Sequence, residues 1–253
     1  MPQIHGIIAP HPLAILPHAA NKNIITQYEQ LILGYLDLSL KVEQFKPDVI
    51  IVISPRGVIY LDQIGIVIPT DNQYIANLSE ISQPDLNFEF DRIETNQLIK
   101  LAETKAFPFI RTAESKLDRG AIVPLFYLTR ALTKKPELIS LNSSYLSPEK
   151  HFEFGKLIAE TYAKTDKKVL IIAAADLSTG KNHKLDQELQ NDLNENNYER
   201  ITLYDTFELD EAGEAGIRPI ATLLGAINDQ HLHWQNPIYL RPEQTGYLLT
   251  STL

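Results

Sequence analysis

The sequence predicts an α/β fold in three layers, with helices on both faces of a mostly parallel or mixed central sheet, and three observations carry that expectation. First, residues 48–54 (Asp-Val-Ile-Ile-Val-Ile-Ser) and 168–174 (Lys-Val-Leu-Ile-Ile-Ala-Ala) are short aliphatic runs with polar starts. Near-continuous apolar runs of this length are strands covered on both faces. Second, residues 21–45 carry Ile24, Ile25, Tyr28, Leu31, Ile32, Tyr35, Leu36 and Leu38 at helical spacing and stop at Lys46-Pro47, where proline ends a helix. Third, residues 4–9 form another apolar run just before that helix, so the chain opens with a strand, helix, strand unit.

The remaining elements follow in order. Ile64–Ile68 reads as a strand after a turn, 93–106 as a helix, 121–132 as a helix, 138–141 as a strand and 148–163 as a helix. After the strand Lys168–Ala174, residues 185–207 read as a broken helix, Ile217–Ile227 as a helix, and 231–240 with 247–253 as closing strands. The polar stretch 181–200, rich in Asn, Asp and Glu, reads as a mobile segment or an exposed cover. No repeat, low-complexity tract or Gly/Ser-rich linker interrupts the chain, so one domain over 1–253 is expected.

Composition narrows the function classes. The chain has 253 residues, 32 acidic against 23 basic side chains (net charge −9), 7 His and no Cys. Without cysteine there is no disulfide framework, thiol nucleophile or thiolate-bound metal, and any metal would need His and carboxylate ligands. The acidic balance argues against nucleic acid as a partner. No run approaches the roughly 18 apolar residues of a membrane span. The start, interrupted by Pro2, Pro10, Pro12 and Pro17, lacks the pattern of a signal peptide, and a cytoplasmic protein is expected. Neither a G-x-G-x-x-G or P-loop fingerprint nor a G-x-S-x-G elbow is present.

Open α/β sheets place their chemistry at the carboxyl ends of strands. Four segments are candidates there: Ala9-Pro-His-Pro12, Ile53-Ser-Pro-Arg-Gly57, Leu117-Asp-Arg-Gly-Ala-Ile-Val-Pro-Leu125 and Asp176-Leu-Ser-Thr179. With Ala212-Gly-Glu-Ala-Gly-Ile-Arg218 and Gln244-Thr-Gly-Tyr247, they resemble, in order, the class III extradiol ring-cleavage dioxygenases of the LigB-like kind, near the Memo-like proteins. The resemblance spans nearly the whole chain. It implies a non-haem Fe(II) site of two His and one carboxylate, with His11 and Glu214 at two of the ligand positions. The third position holds Arg56. Two further histidine positions of that family, one of them acting as acid/base on a bound catechol, hold Arg119 and Thr179.

A facial site short of an imidazole holds a divalent ion through only two protein groups, and a guanidinium there adds a charge that cannot be removed. Arg56 is therefore expected to pair with Glu214. No metal is expected, with Fe(II) only if the family activity survives. The leading expectation is a metal-free relative that has lost catalysis and binds a small anionic ligand or a partner protein through Arg56, Arg119 and His11, with Thr179 in the same pocket. Two alternatives stand beside it. One is an active Fe(II) dioxygenase on an aromatic ligand with a modified ligand set. The other is a metal-free enzyme with His11 as acid/base and the arginines holding an anionic substrate. A homo-oligomer is also open.

Several of these residues have plainer readings. Asp118 and Asp176 read as turn or helix-capping carboxylates, Glu214 equally as a helix-terminus carboxylate, and His11 equally as a structural histidine. His18, His151, His183, His231 and His233 read as surface or interface residues, the last two on one face of a strand.

Overall fold

The computed structural model describes residues 3–17, 22–76, 86–180 and 183–253. The first half runs β1 (Gln3–Ala9), α1 (Lys22–Phe45), β2 (Val49–Ser54), β3 (Ile64–Ile68), β4 (Gln73–Ala76), β5 (Leu86–Glu89), α2 (Arg92–Thr104), β6 (Phe109–Ala113) and α3 (Arg119–Leu128). The second runs β7 (Glu137–Asn142), α4 (Pro148–Tyr162), β8 (Lys168–Ala174), β9 (Asp176–Thr179), α5 (Lys184–Asn194), α6 (Tyr198–Thr202), α7 (Thr206–Glu211), α8 (Ile217–Ile227), β10 (Gln235–Leu240) and β11 (Thr245–Ser251).

Among the described residues the main sheet has the order β10-β11-β1-β8-β2-β7-β3-β6, with β9 alongside β11. Strands β1, β8, β2 and β7 are parallel neighbours, whereas β3 meets β7 antiparallel. The sheet is therefore mixed, as expected. Alternation along its central strands shows why both faces must be covered. Val49, Ile51 and Ile53 of β2, with Val169, Ile171 and Ala173 of β8, join the core under α2, α4 and α8. Ile50, Val52, Leu170 and Ile172 join the core under α1 and α3. A strand with two buried faces has no room for polar alternation, which is what made these runs readable.

Helices α4 and α8 touch backbone to backbone. A side chain at Gly155 would strike the Thr222 carbonyl and one at Gly225 the Phe152 carbonyl, so neither position accepts a Cβ without moving a helix.

Several expectations are corrected. The broken helix expected over 185–207 is three separate helices, α5 to α7, and the last runs on to Glu211. The stretch 181–200 is no exposed cover, because Leu189, Leu193 and Tyr198 are core residues; its hydrophilic composition hid an amphipathic face. The first two residues of that stretch, and His18, lie outside the described residues. The closing strand begins only at Gln235, and His231 takes a left-handed conformation before it, so His231 and His233 do not share a strand face. His151 is fully buried between Ser144 Oγ (3.2 Å) and Thr222 Oγ1 (3.0 Å), a satisfied core histidine held down at a pKa of about 3, chiefly by burial. The hairpin β4–β5 and the edge strand β6 were not foreseen; both are short, and much of the hairpin is solvent-facing.

Candidate functional site

Three neighbouring parallel strands, β1, β8 and β2, bring their carboxyl ends together, and each contributes a polar side chain two residues past its last one. After β1 the chain turns through Pro10, His11 and Pro12. Two buried tyrosines hold this turn: the Tyr35 hydroxyl donates to the Pro10 carbonyl and the Tyr127 hydroxyl to the Ile15 carbonyl. Their rings stack with centroids 5.0 Å apart. The prolines limit the turn's own freedom, so His11 is held from the chain and from beneath.

His11 is 2% exposed. Its backbone N–H donates to Asp176 Oδ1 at 2.9 Å, which ties the turn after β1 to β9. Its Nε2 faces two groups at once. Arg56 Nε donates to it at 3.0 Å, and Asp176 Oδ2 lies 3.2 Å away. Arg56 Nη2 closes the triangle to Asp176 Oδ2 at 3.4 Å. With Nε2 accepting, the neutral ring carries its proton on Nδ1, which is buried without a partner. Burial holds His11 below its ordinary pKa; Asp176 pulls the other way and Arg56 reinforces the depression.

The loop after β2 is fixed from the α3 side. Ser54 Oγ donates to Asp118 Oδ1 at 2.5 Å and accepts from the Arg56 backbone N–H at 3.2 Å. Asp118 caps α3, accepting from Gly120 N at 2.7 Å and Ala121 N at 3.3 Å. Gly120 leaves no space for a Cβ beside Ser54 Oγ and Arg56 Cγ; the close approach of helix to loop depends on it. Arg119, in the first turn of α3, is exposed, and it makes no hydrogen bond or ion pair among the described residues. Its charge nevertheless reaches His11.

Glu214 does not meet Arg56, contrary to expectation. It caps α8 instead, its Oε1 accepting from the Gly216 and Ile217 N–H groups. Its Oε2 is buried without a partner, and burial pushes its pKa up to about 8 against those two bonds and the Arg218 charge. Arg56 pairs with Asp176 because β8 and β2 are adjacent strands and their ends converge. Asp176 is accordingly a strand residue and an ion-pair partner, not the turn or capping residue expected. The Asp-Leu-Ser motif was its only signal in the sequence. Asp118 is the cap it was read as, with Ser54 as an added partner. Thr179 is exposed at the end of β9, its hydroxyl donating to the Ala212 carbonyl at 3.3 Å; among the described residues it shares no hydrogen bond with His11, Arg56 or Arg119.

Residues 6–247 match the family model of the catalytic LigB subunit of aromatic ring-opening dioxygenases. This chain belongs to that family. Protein CA_C1420 of Clostridium acetobutylicum is 22% identical over 242 residues, covering 87% of this chain and 51% of that protein, so the chain spans about half the length of that curated relative. An uncharacterized protein, JW3007, of Escherichia coli K12 shares the fold, with a TM-score of 0.62, 12% identity and coverage of 98% of this chain and 99% of that one.

LigB-family dioxygenases use Fe(II), and the residues here do not fit it. The imidazole nitrogen His11 would offer is taken by the Arg56 Nε–H. A guanidinium, which cannot lose its proton, stands where the resemblance puts a second imidazole. Among the described residues no three His, Cys, Asp or Glu side chains converge on a metal position.

Proposed function

We propose that this LigB-family chain is a metal-independent binding protein whose site, at the carboxyl ends of β1, β2 and β8, takes a small anionic ligand. One observation carries the reading: Arg56 Nε donates to His11 Nε2 at 3.0 Å, so the atom that would bind iron is engaged by a fixed cation. Arg119 supplies the open donor. Its guanidinium lies within electrostatic reach of His11 and is free of partners among the described residues, and a planar fork of this kind matches carboxylate or phosphate oxygens. Arg56, 34% exposed at its side chain, adds a second cation. The acidic, cysteine-free composition supports a cytoplasmic setting.

The contact of His11 Nε2 with Asp176 Oδ2 at 3.2 Å favours one second reading, acid/base chemistry by His11. For that, a bound anion would draw Arg56 away, leaving Nε2 free to take a proton that Asp176 stabilises. Isothermal titration with sulfate, phosphate and small carboxylates, and anaerobically with Fe(II), tests the first reading. Anion binding weakened about tenfold or more by Arg119→Ala, without Fe(II) binding, is the expected result. Fe(II) binding that disappears in His11→Ala would overturn it.

A further inference from the structure

Two of the motifs that stand out in the sequence, Asp176-Leu-Ser-Thr179 and Gln244-Thr-Gly-Tyr247, meet at a buried carboxylate that belongs to neither. Strand β9 stands outside the main run of strands and, among the described residues, pairs only with β11. That pairing is irregular. Thr179 faces Thr245 and Asp176 faces Tyr247, so Leu177 and Ser178 together stand against Gly246.

Asp186 of α5, 1% exposed, enters at this break. Its Oδ1 accepts the Ser178 N–H at 3.0 Å, and its Oδ2 accepts from Arg241 Nη1 at 2.7 Å and from the Tyr239 hydroxyl at 2.8 Å. Arg241 reaches on to β9, donating to Ser178 Oγ at 3.2 Å and to the Gly180 carbonyl at 2.6 Å. A Cβ at Gly246 would fall on Asp186 Oδ2, so the glycine of the second motif is what admits the carboxylate. A buried carboxylate is costly unless donors match its oxygens. Asp186 has three donors, one of them a guanidinium, and through them it joins α5 to β9 and β10.

What this clamp fixes is the start of the same four-residue strand. Among the described residues Asp176 is the only carboxylate that bonds His11 or Arg56: its Oδ1 accepts the His11 N–H, and its Oδ2 faces His11 Nε2 and accepts from Arg56 Nη2. Bonds of this length are lost when one partner moves by about 1 Å. The place of β9 therefore decides what His11 and Arg56 are paired with.

We infer that Asp186, backed by Arg241, is a positioning residue of the site: it makes good the broken pairing of β9 and so holds Asp176 against His11 and Arg56. The inference concerns these groups themselves and holds whether or not they take an anion.

NMR of the intact 15N-labelled chain tests it, because the His11 N–H and ring report directly on Asp176. In Asp186→Asn the His11 amide should exchange with solvent about tenfold or more faster while the amides of β1 keep their rates, and the His11 ring signals should shift in the direction seen in Asp176→Ala. Adding Asp186→Asn to Asp176→Ala should change the His11 signals no further, since the contact it supports is already gone. Arg241→Gln leaves both carboxylates in place and should act in the same direction by a smaller amount; it decides the matter if Asp186→Asn does not fold. Unchanged His11 signals in these variants overturn the inference. So does an equal acceleration of the β1 amides, which would mean a general loss of stability, or a full additional effect in the double variant. Failure of the wild type to bind phosphate counts against the anion reading alone; the His11 signals decide the positioning.

Discussion

The two ends of the central sheet each bury a set of charges, and they are built differently. At the amino ends of β7 and β8, Lys167 Nζ serves Asp91 at 3.0 Å, Glu137 at 3.5 Å and Glu94 at 3.6 Å. Asp91 also caps α2 through Glu94 N–H and accepts from the Tyr162 hydroxyl. Burial pulls the Lys167 pKa down, but the Asp91 bond and the surrounding carboxylates outweigh it and hold the group above its ordinary value. At the carboxyl ends, by contrast, His11 Nδ1 and Glu214 Oε2 are buried without partners, and Arg119 faces water. A buried network with its donors and acceptors matched stabilises the fold; one left short of partners costs stability. The amino end has the matched network of a scaffold, and the carboxyl end has the unmatched groups of the proposed site.

The strongest test of that contrast is Asp91→Ala. It takes from Lys167 the nearest of its three carboxylates, leaves the buried Tyr162 hydroxyl without its acceptor and removes the cap of α2, and should cost on the order of 3 to 5 kcal/mol in sum. Urea unfolding measures it; a loss within the range of an ordinary surface substitution would mean that the amino-end network is not structural.

Next in size is the pH dependence set by Glu214. Its folded pKa, about 8, is raised from 4.5, so its contribution is fully present below the unfolded value and is lost as pH rises through 8. His11 has the opposite sign: a lowered folded pKa gives stability present above its unfolded value and lost as pH falls. Comparing wild type with Glu214→Gln isolates the first effect. Between pH 5 and 8 the wild type should lose on the order of 3 kcal/mol more than the variant. Parallel stability curves would show that the buried carboxyl is stabilised by something not recognised in the site.

Arg56→His sharpens the comparison chemically. It removes the fixed cation and places an imidazole where the family resemblance has one, so Mn(II) or Fe(II) is expected to bind the variant measurably more tightly than the wild type. Anaerobic titration of both proteins checks this, and equal binding by the two would remove Arg56 as the cause.

The smallest expected effect on stability is that of Arg119→Ala, within about 0.5 kcal/mol in anion-free buffer because the side chain is exposed. The same change should abolish most of the rise in melting temperature caused by sulfate or phosphate. A variant destabilised without anion would place Arg119 in the scaffold.

Much of this molecule was determined by its sequence alone. The aliphatic runs 48–54 and 168–174 had to be doubly covered strands, because a strand with two buried faces excludes polar alternation, and the proline at 47 had to end the first helix. Asp118 was legible as a cap since that role is local. His11, Arg56 and Arg119 could be singled out from short ordered motifs. Pairing was not legible. Only the tertiary structure decided that Arg56 meets Asp176, 120 positions along the chain, and that Glu214 turns to its own helix. Ion pairing depends on which strands lie side by side, and the order β1-β8-β2 is settled by packing across the whole sheet rather than by local preference. Polar composition likewise concealed the burial of α5, though not its helical form: its few apolar residues fall on one face and find the core only once that face has somewhere to dock.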